Sequence, residues 1–253
     1  MTLRSIAPLA ALALLALAPA SAGQASVPYV EMVRPAETPE EVSTVIEIVV
    51  LLTVLSLCPA FLVLMTAFTR IVIVLSFVSR ALSTQNLPPS QVVVGLSLIL
   101  TFLVMQPTFV QMKDDALIPY MDEEITQKEM FLRAEVPMRN FMFKHTRKED
   151  VKLFIDLTEF DPGKPKGEVT RGDIPTYILV PAFVISELTR AFEMGFALFL
   201  PFVVIDMVVA ATLISMGMLV LPPILISLPF KILLFVLVDG WRLIVGSVIQ
   251  SFY

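Results

Sequence analysis

The sequence predicts an all-α membrane protein built from long, Pro-broken helical hairpins with a small helical extracytoplasmic insert. Three observations predict it. Of 253 residues, 57% are hydrophobic and only 16% charged, which is too apolar for a soluble domain. The charges are segregated: 11 of the 18 basic and 14 of the 23 acidic residues fall between positions 113 and 173. On either side run uncharged stretches, several of them punctuated by Pro.

Residues 1–22 carry Arg4, an apolar run over 6–18 and an Ala20-Ser21-Ala22 site, the layout of a cleavable secretory signal. Cleavage after Ala22 places the mature N-terminus outside the cytoplasm. Residues 23–43, with Pro28, Pro35 and Pro39 and several Glu, form an exposed arm. A first helical hairpin follows over 44–112. Its first segment is the charge-free run 48–69, interrupted by Pro59; its second is 91–112, entered through Pro88-Pro89-Ser90. Only Arg70 and Arg80 are charged between them, so this connection stays inside, in agreement with the signal.

Residues 113–173 form the insert, on the periplasmic side after an even number of spans. Pro137 opens a short helix with Met138, Phe141 and Met142 on one face, and Val151, Phe154, Ile155 and Thr158 repeat the helical spacing. A Pro/Gly-rich turn region closes the insert, and no strand pattern is visible.

Residues 174–253 form a second, Pro-broken hairpin region. Pro181, Pro201, Pro222, Pro223 and Pro229 interrupt the apolar runs, and lipid cannot satisfy the carbonyls that each Pro leaves unbonded. Such segments belong in an assembly. Arg190 stands at i+3 from Glu187 and i−3 from Glu193, so it reaches either carboxylate within one helix, unless Glu187 meets a basic group on a neighbouring subunit. Asp206, Lys231 and Asp239 are isolated intramembrane charges, suited to structural pairing, to snorkelling of Lys231 or to proton relay. Met216-Gly217-Met218-Leu219-Val220-Leu221-Pro222-Pro223 is either a soft apolar constriction or a buried hairpin turn.

The inventory of reactive residues excludes most enzymes. One His and one Cys cannot make a Cys/His zinc site, a two-Cys redox motif or an intrachain disulfide. His145, in Lys144-His145-Thr146-Arg147-Lys148, reads as a solvated surface residue rather than a catalytic base. Gly163-Lys164 lacks the spacing of a phosphate loop. No catalytic, cofactor-binding or metal residue is assigned, and a net charge of −5 gives no generally basic surface for nucleic acid.

Two stretches carry a family resemblance. Pro181-Ala182-Phe183-Val184-Ile185-Ser186-Glu187-Leu188-Thr189-Arg190-Ala191-Phe192-Glu193-Met194-Gly195 and Leu228-Pro229-Phe230-Lys231-Ile232-Leu233-Leu234-Phe235-Val236-Leu237-Val238-Asp239-Gly240-Trp241 resemble the two signatures of the FliP family of flagellar type III export-gate proteins. Cys58-Pro59-Ala60, Thr69-Arg70, Asn86-Leu87-Pro88-Pro89 and the Ser251-Phe252-Tyr253 ending are similar to it as well. The resemblance implies a subunit of a secretion channel for unfolded axial proteins, multi-pass in the bacterial inner membrane within the flagellar basal body. It implies a homo-oligomeric ring, a pentamer, closed with two smaller membrane proteins, above a larger gate protein and below the flagellar rod. It also implies a pore seal at Met218, Leu219 and Val220, to which Met216 of the same loop is added as a candidate, although the family often has three consecutive Met where this chain has one. Phe141, Phe154, Glu187 and Arg190 are the candidate oligomer contacts. Rival readings are a virulence injectisome counterpart and a proton-coupled carrier using Asp206 or Asp239. An intramembrane hydrolase lacks a base.

Overall fold

The computed structural model describes residues 39–82, 88–161, 163, 170–218 and 221–253, without the side chains of residues 39–45, 58 and 62. The expected signal segment 1–22, the arm up to residue 38 and the seal candidates Leu219 and Val220 lie outside the described residues. The chain divides into two units, Met1–Leu55 and Ser56–Tyr253. In the first, the described part is the start of helix α1 (Pro39–Leu64), which Pro39 opens within the expected arm. Its Leu51 and Leu55 are exposed.

In the second unit the described residues form helices joined by turns and short connections. After α1 a break at residues 65–67 leads into α2 (Phe68–Ala81), where the sequence suggested a cytoplasmic connection. Ile71, Val74, Leu75 and Val78 recur at helical spacing and are buried. Arg70, counted above as a loop charge, is sealed at 0% exposure, and only Arg80 remains an exposed charge there. Its apolar periodicity makes this segment a packed helix where a connection between two spans is expected.

Helix α3 (Ser90–Met112) runs through a π-helical turn at Lys113–Leu117 into the short α4 (Ile118–Met121). The wider turn sits just ahead of Pro119, which cannot donate to the Asp115 carbonyl. Helix α5 (Gln127–His145) begins ten residues before Pro137, contrary to the sequence expectation. A capping box fixes that start: the Thr126 amide donates to Glu129 Oε2 at 2.9 Å and the Glu129 amide to Thr126 Oγ1 at 3.4 Å. Helix α6 (Lys148–Leu157) matches the second helical pattern of the insert.

Helix α7 (Thr176–Ser215) is one 40-residue helix that carries Pro181 and Pro201 inside it. The expected breaks do not occur, since each Pro removes a single amide donor, from the carbonyls of Tyr177 and Ala197, and the bonds on either side persist. At ~1.5 Å per residue α7 is about 60 Å long, twice the ~30 Å hydrocarbon core. Helices α8 (Pro223–Leu237) and α9 (Gly240–Gln250) return from its tip with a 64° bend between them.

Among the described residues two helices are long and apolar enough to cross a membrane, Ser90–Met121 and Thr176–Ser215, or three spans if the bent pair counts as one. The first apolar run lies in α1 (Pro39–Leu64) and, past the break at residues 65–67, enters the start of α2.

The core forms where α2 lies on α7 and α3 with α5 against them. Val74, Leu75, Leu100, Met105, Met142, Leu179 and Phe183 meet there. Gly195 permits the α2–α7 approach: a Cβ at that position would lie 2.5 Å from the Phe77 ring.

Candidate functional site

Arg70 occupies the centre of a buried polar node. Its Nε donates to Glu187 Oε2 at 2.8 Å and its Nη2 to the other carboxylate oxygen. Nη1 donates to the Ser251 carbonyl at 2.9 Å and to Ser251 Oγ at 2.8 Å. The Phe252 ring lies 3.9 Å from the guanidinium carbon. Both ionic side chains are 0% exposed. A bidentate fork with every oxygen engaged is the geometry that offsets the desolvation of such a pair. One residue thus ties α2, α7 and the chain's last turn together.

Glu187 therefore has a basic partner inside the chain, on Arg70 of α2 rather than on Arg190 of its own helix. Phe141, expected on an oligomer face, is 9% exposed and packs against Phe183 and Phe252. Phe154 is half-buried on α6 and Arg190 half-buried on α7. His145 is also inside, at 4% exposure, between Phe141 and Phe252, so the surface reading of its basic surroundings is corrected. Burial, with the positive charges of Arg70, Lys144 and Arg190, lowers its pKa to about 3.

Two polar clamps fasten the insert to α7. Arg139 donates to Thr176 and, at 2.6 Å, to the Ile174 carbonyl, while Thr176 donates to Glu135. Buried Asp150 accepts Arg147 Nε at 2.8 Å and the Ser186 hydroxyl at 2.5 Å. The Arg147 hydrogen bond, with help from Ser186, holds the Asp150 carboxyl below the usual range.

Within the second hairpin, Asp206 and Lys231 come together. Lys231 Nζ donates to Asp206 Oδ2 at 2.5 Å and the Ser227 hydroxyl to Oδ1 at 2.6 Å. The Lys231 side chain is 1% exposed against 38% for Asp206, so Lys231 is paired inside the chain and does not snorkel. Asp239 is exposed in the left-handed region (φ 52°) at the α8–α9 bend. There Gly240 meets the Phe235 ring, and a Cβ would fall 2.4 Å from it.

The tip of the hairpin is a Schellman turn. Gly217 takes φ 76°, its amide bonds the Ile214 carbonyl at 3.0 Å and the Met218 amide bonds the Leu213 carbonyl at 3.0 Å. Met216 is 72% exposed and Met218 39%. Gly217 supplies the left-handed conformation that the turn requires, and the Met216 and Met218 side chains are exposed beside it.

Sequence reasoning missed Arg70, Asp150, Ser186 and Ser251. Arg70 was visible as a lone charge in a long apolar stretch, but its partners lie 117 and 181 positions away. Nothing local announces such pairings.

Residues 51–248 match the model of the FliP family. The flagellar biosynthetic protein FliP of Bacillus subtilis (strain 168) is 56% identical over 214 residues, covering 85% of this chain and 95% of the relative. That of Aquifex aeolicus (strain VF5) is 47% identical over 208 residues, 82% of this chain and 85% of the relative. The Caulobacter vibrioides protein of the same name is 46% identical over 208 residues, 82% of this chain and 76% of its own. The chain belongs to the FliP family.

Proposed function

We propose that this chain is a core subunit of the flagellar type III protein export gate, a structural membrane protein and not an enzyme. Several copies close a helical ring with two smaller membrane proteins, and unfolded flagellar axial proteins cross the inner membrane through it. A larger gate protein lies below and the rod above. Residues 113–173 and the mature N-terminus face the periplasm.

The observation that carries the reading is α7 within a FliP-family chain. Phe192, Phe196, Leu200, Val204 and Val208 recur every fourth residue along it and all are exposed. From Phe192 to Val208 the row runs about 24 Å along a helix of about 60 Å, which is twice the ~30 Å hydrocarbon core, so the helix as a whole does not fit in lipid. Neighbouring copies would cover it. The relatives' flagellar names favour this over an injectisome counterpart.

Met216 and Met218 project at the hairpin tip and, with Leu219 and Val220, form the seal. A gene deletion should abolish motility and flagellar secretion, with both restored by the intact gene; a motile deletion strain ends the flagellar reading. For the seal, Met218→Ala should raise ion conductance through the assembled complex several-fold over the unaltered protein in planar bilayers. Background conductance would reduce Met218 to packing.

A further inference from the structure

Thr108 and His145 are buried polar side chains that the chain leaves without a hydrogen bond. Thr108 is 7% exposed and His145 4%, and neither has a hydrogen-bond partner among the described residues. The omission is specific. In the same helix α3, Ser97 and Thr101 return their hydroxyls to the carbonyl four residues back, at 2.7 and 2.6 Å. Every side-chain N or O atom sealed from solvent among the described residues is partnered. The free polar atoms of Thr108 and His145 therefore open onto space.

That space is a cleft of 220 Å³ between α3, α5 and the C-terminal turn. Buried Thr108 and His145 form its floor, while exposed Gln111, Asn140 and Lys144 stand at its rim. Its volume admits a small polar group and not a large ligand.

The surrounding charge selects the group. Arg70, Lys144 and Arg190 all act on His145. Arg70 is neutralised by Glu187 and Arg190 acts on both Asp150 and Glu187, but Lys144 makes no ion pair among the described residues. Lys144 is held only by a 3.3 Å contact to the Phe252 carbonyl. A neutral imidazole and a hydroxyl can each donate one hydrogen bond, and the surplus positive charge favours an anionic acceptor.

We propose that this cleft is a carboxylate-binding site, in which Thr108 and His145 donate to the two oxygens and Lys144 supplies the opposing charge. The carboxylate comes from an Asp or Glu side chain of an adjoining polypeptide or from a small free acid.

His145 is the one His of the chain, so ring ¹⁵N labelling with a His-free affinity tag reports on the cleft alone. Acetate is titrated into the detergent-solubilised full chain at constant pH and ionic strength, with chloride as control. The expected result is a saturable shift of the His145 ring signals with acetate and none with chloride. Lys144→Met and Thr108→Val, shown to be folded by circular dichroism, should each weaken acetate binding about tenfold. A response equal to that of chloride, or saturation unchanged in both variants, overturns the proposal. In the intact assembly purified without carboxylate buffers, ring signals already shifted and insensitive to acetate identify a partner's side chain. Signals that still move with acetate identify a free acid.

Discussion

At the scale of single residues, the buried groups carry opposite risks. Arg70 and Glu187 are sealed together, and removing either leaves the other charge buried and unpaired. Arg70→Ala or Glu187→Ala should each cost about 3–5 kcal/mol of folding stability, read as a lowered Tm of the isolated subunit. A defect confined to ring assembly, with the isolated subunit as stable as before, would return Glu187 to an intersubunit role. His145 acts through pH. Its folded pKa of about 3 lies below the ordinary 6.5, so the unfolded chain binds a proton that the folded chain refuses. Stability is therefore full above about pH 6.5 and declines as pH falls toward 3. The slope should reach ~1 kcal/mol per pH unit, less than one full proton because the open cleft lets solvent screen the ring. Asp150, with its depressed carboxyl pKa, loses stability in the same direction at the acid end. Comparison of Tm against pH for the unaltered chain and His145→Gln checks this, the variant showing the shallower decline.

At the scale of elements, helix existence and facing were written locally. The spacing of Ile71, Val74, Leu75 and Val78 carries the buried face of α2, and Val151, Phe154 and Ile155 mark α6. Boundaries were less legible: Pro137 resembles a helix start, yet the Thr126–Glu129 capping box begins α5 earlier. Pro181 and Pro201 resemble breaks, yet α7 passes through both. A Pro states what one carbonyl lacks, and only the neighbouring turns decide whether the helix continues. The closest helix crossing makes its own prediction. Gly195→Ala places a methyl group within 2.5 Å of the Phe77 ring, and overpacking there should cost about 1–3 kcal/mol. Phe77→Leu in the same chain should recover part of the loss in Tm; an unshifted Tm for Gly195→Ala would mean that the ring yields freely.

Across the whole molecule, the Asp206–Lys231 pair decides between a scaffold and a carrier. Lys231 is sealed and Asp206 partly open, so their substitutions should be unequal. Asp206→Ala strands a buried ammonium and should destabilise by about 3–5 kcal/mol. Lys231→Met leaves a carboxylate within reach of solvent and should cost much less. Asp206→Asn with Lys231→Met should restore both stability and flagellar export, measured as secreted axial protein. A folded double variant that fails to export would instead make Asp206 a working proton site. What the sequence determined by itself is whatever depends on spacing along one helix: the all-α membrane class, the charged insert, the Gly217 turn and the family signatures, because periodicity and turn chemistry act over a few residues. Only the tertiary structure decided that Arg70 meets Glu187 and Ser251, that His145 lies inside, and that Asp206 meets Lys231. Those contacts join positions from 25 to 181 residues apart, and a charge in an apolar run shows that a partner is needed without showing which helix brings it.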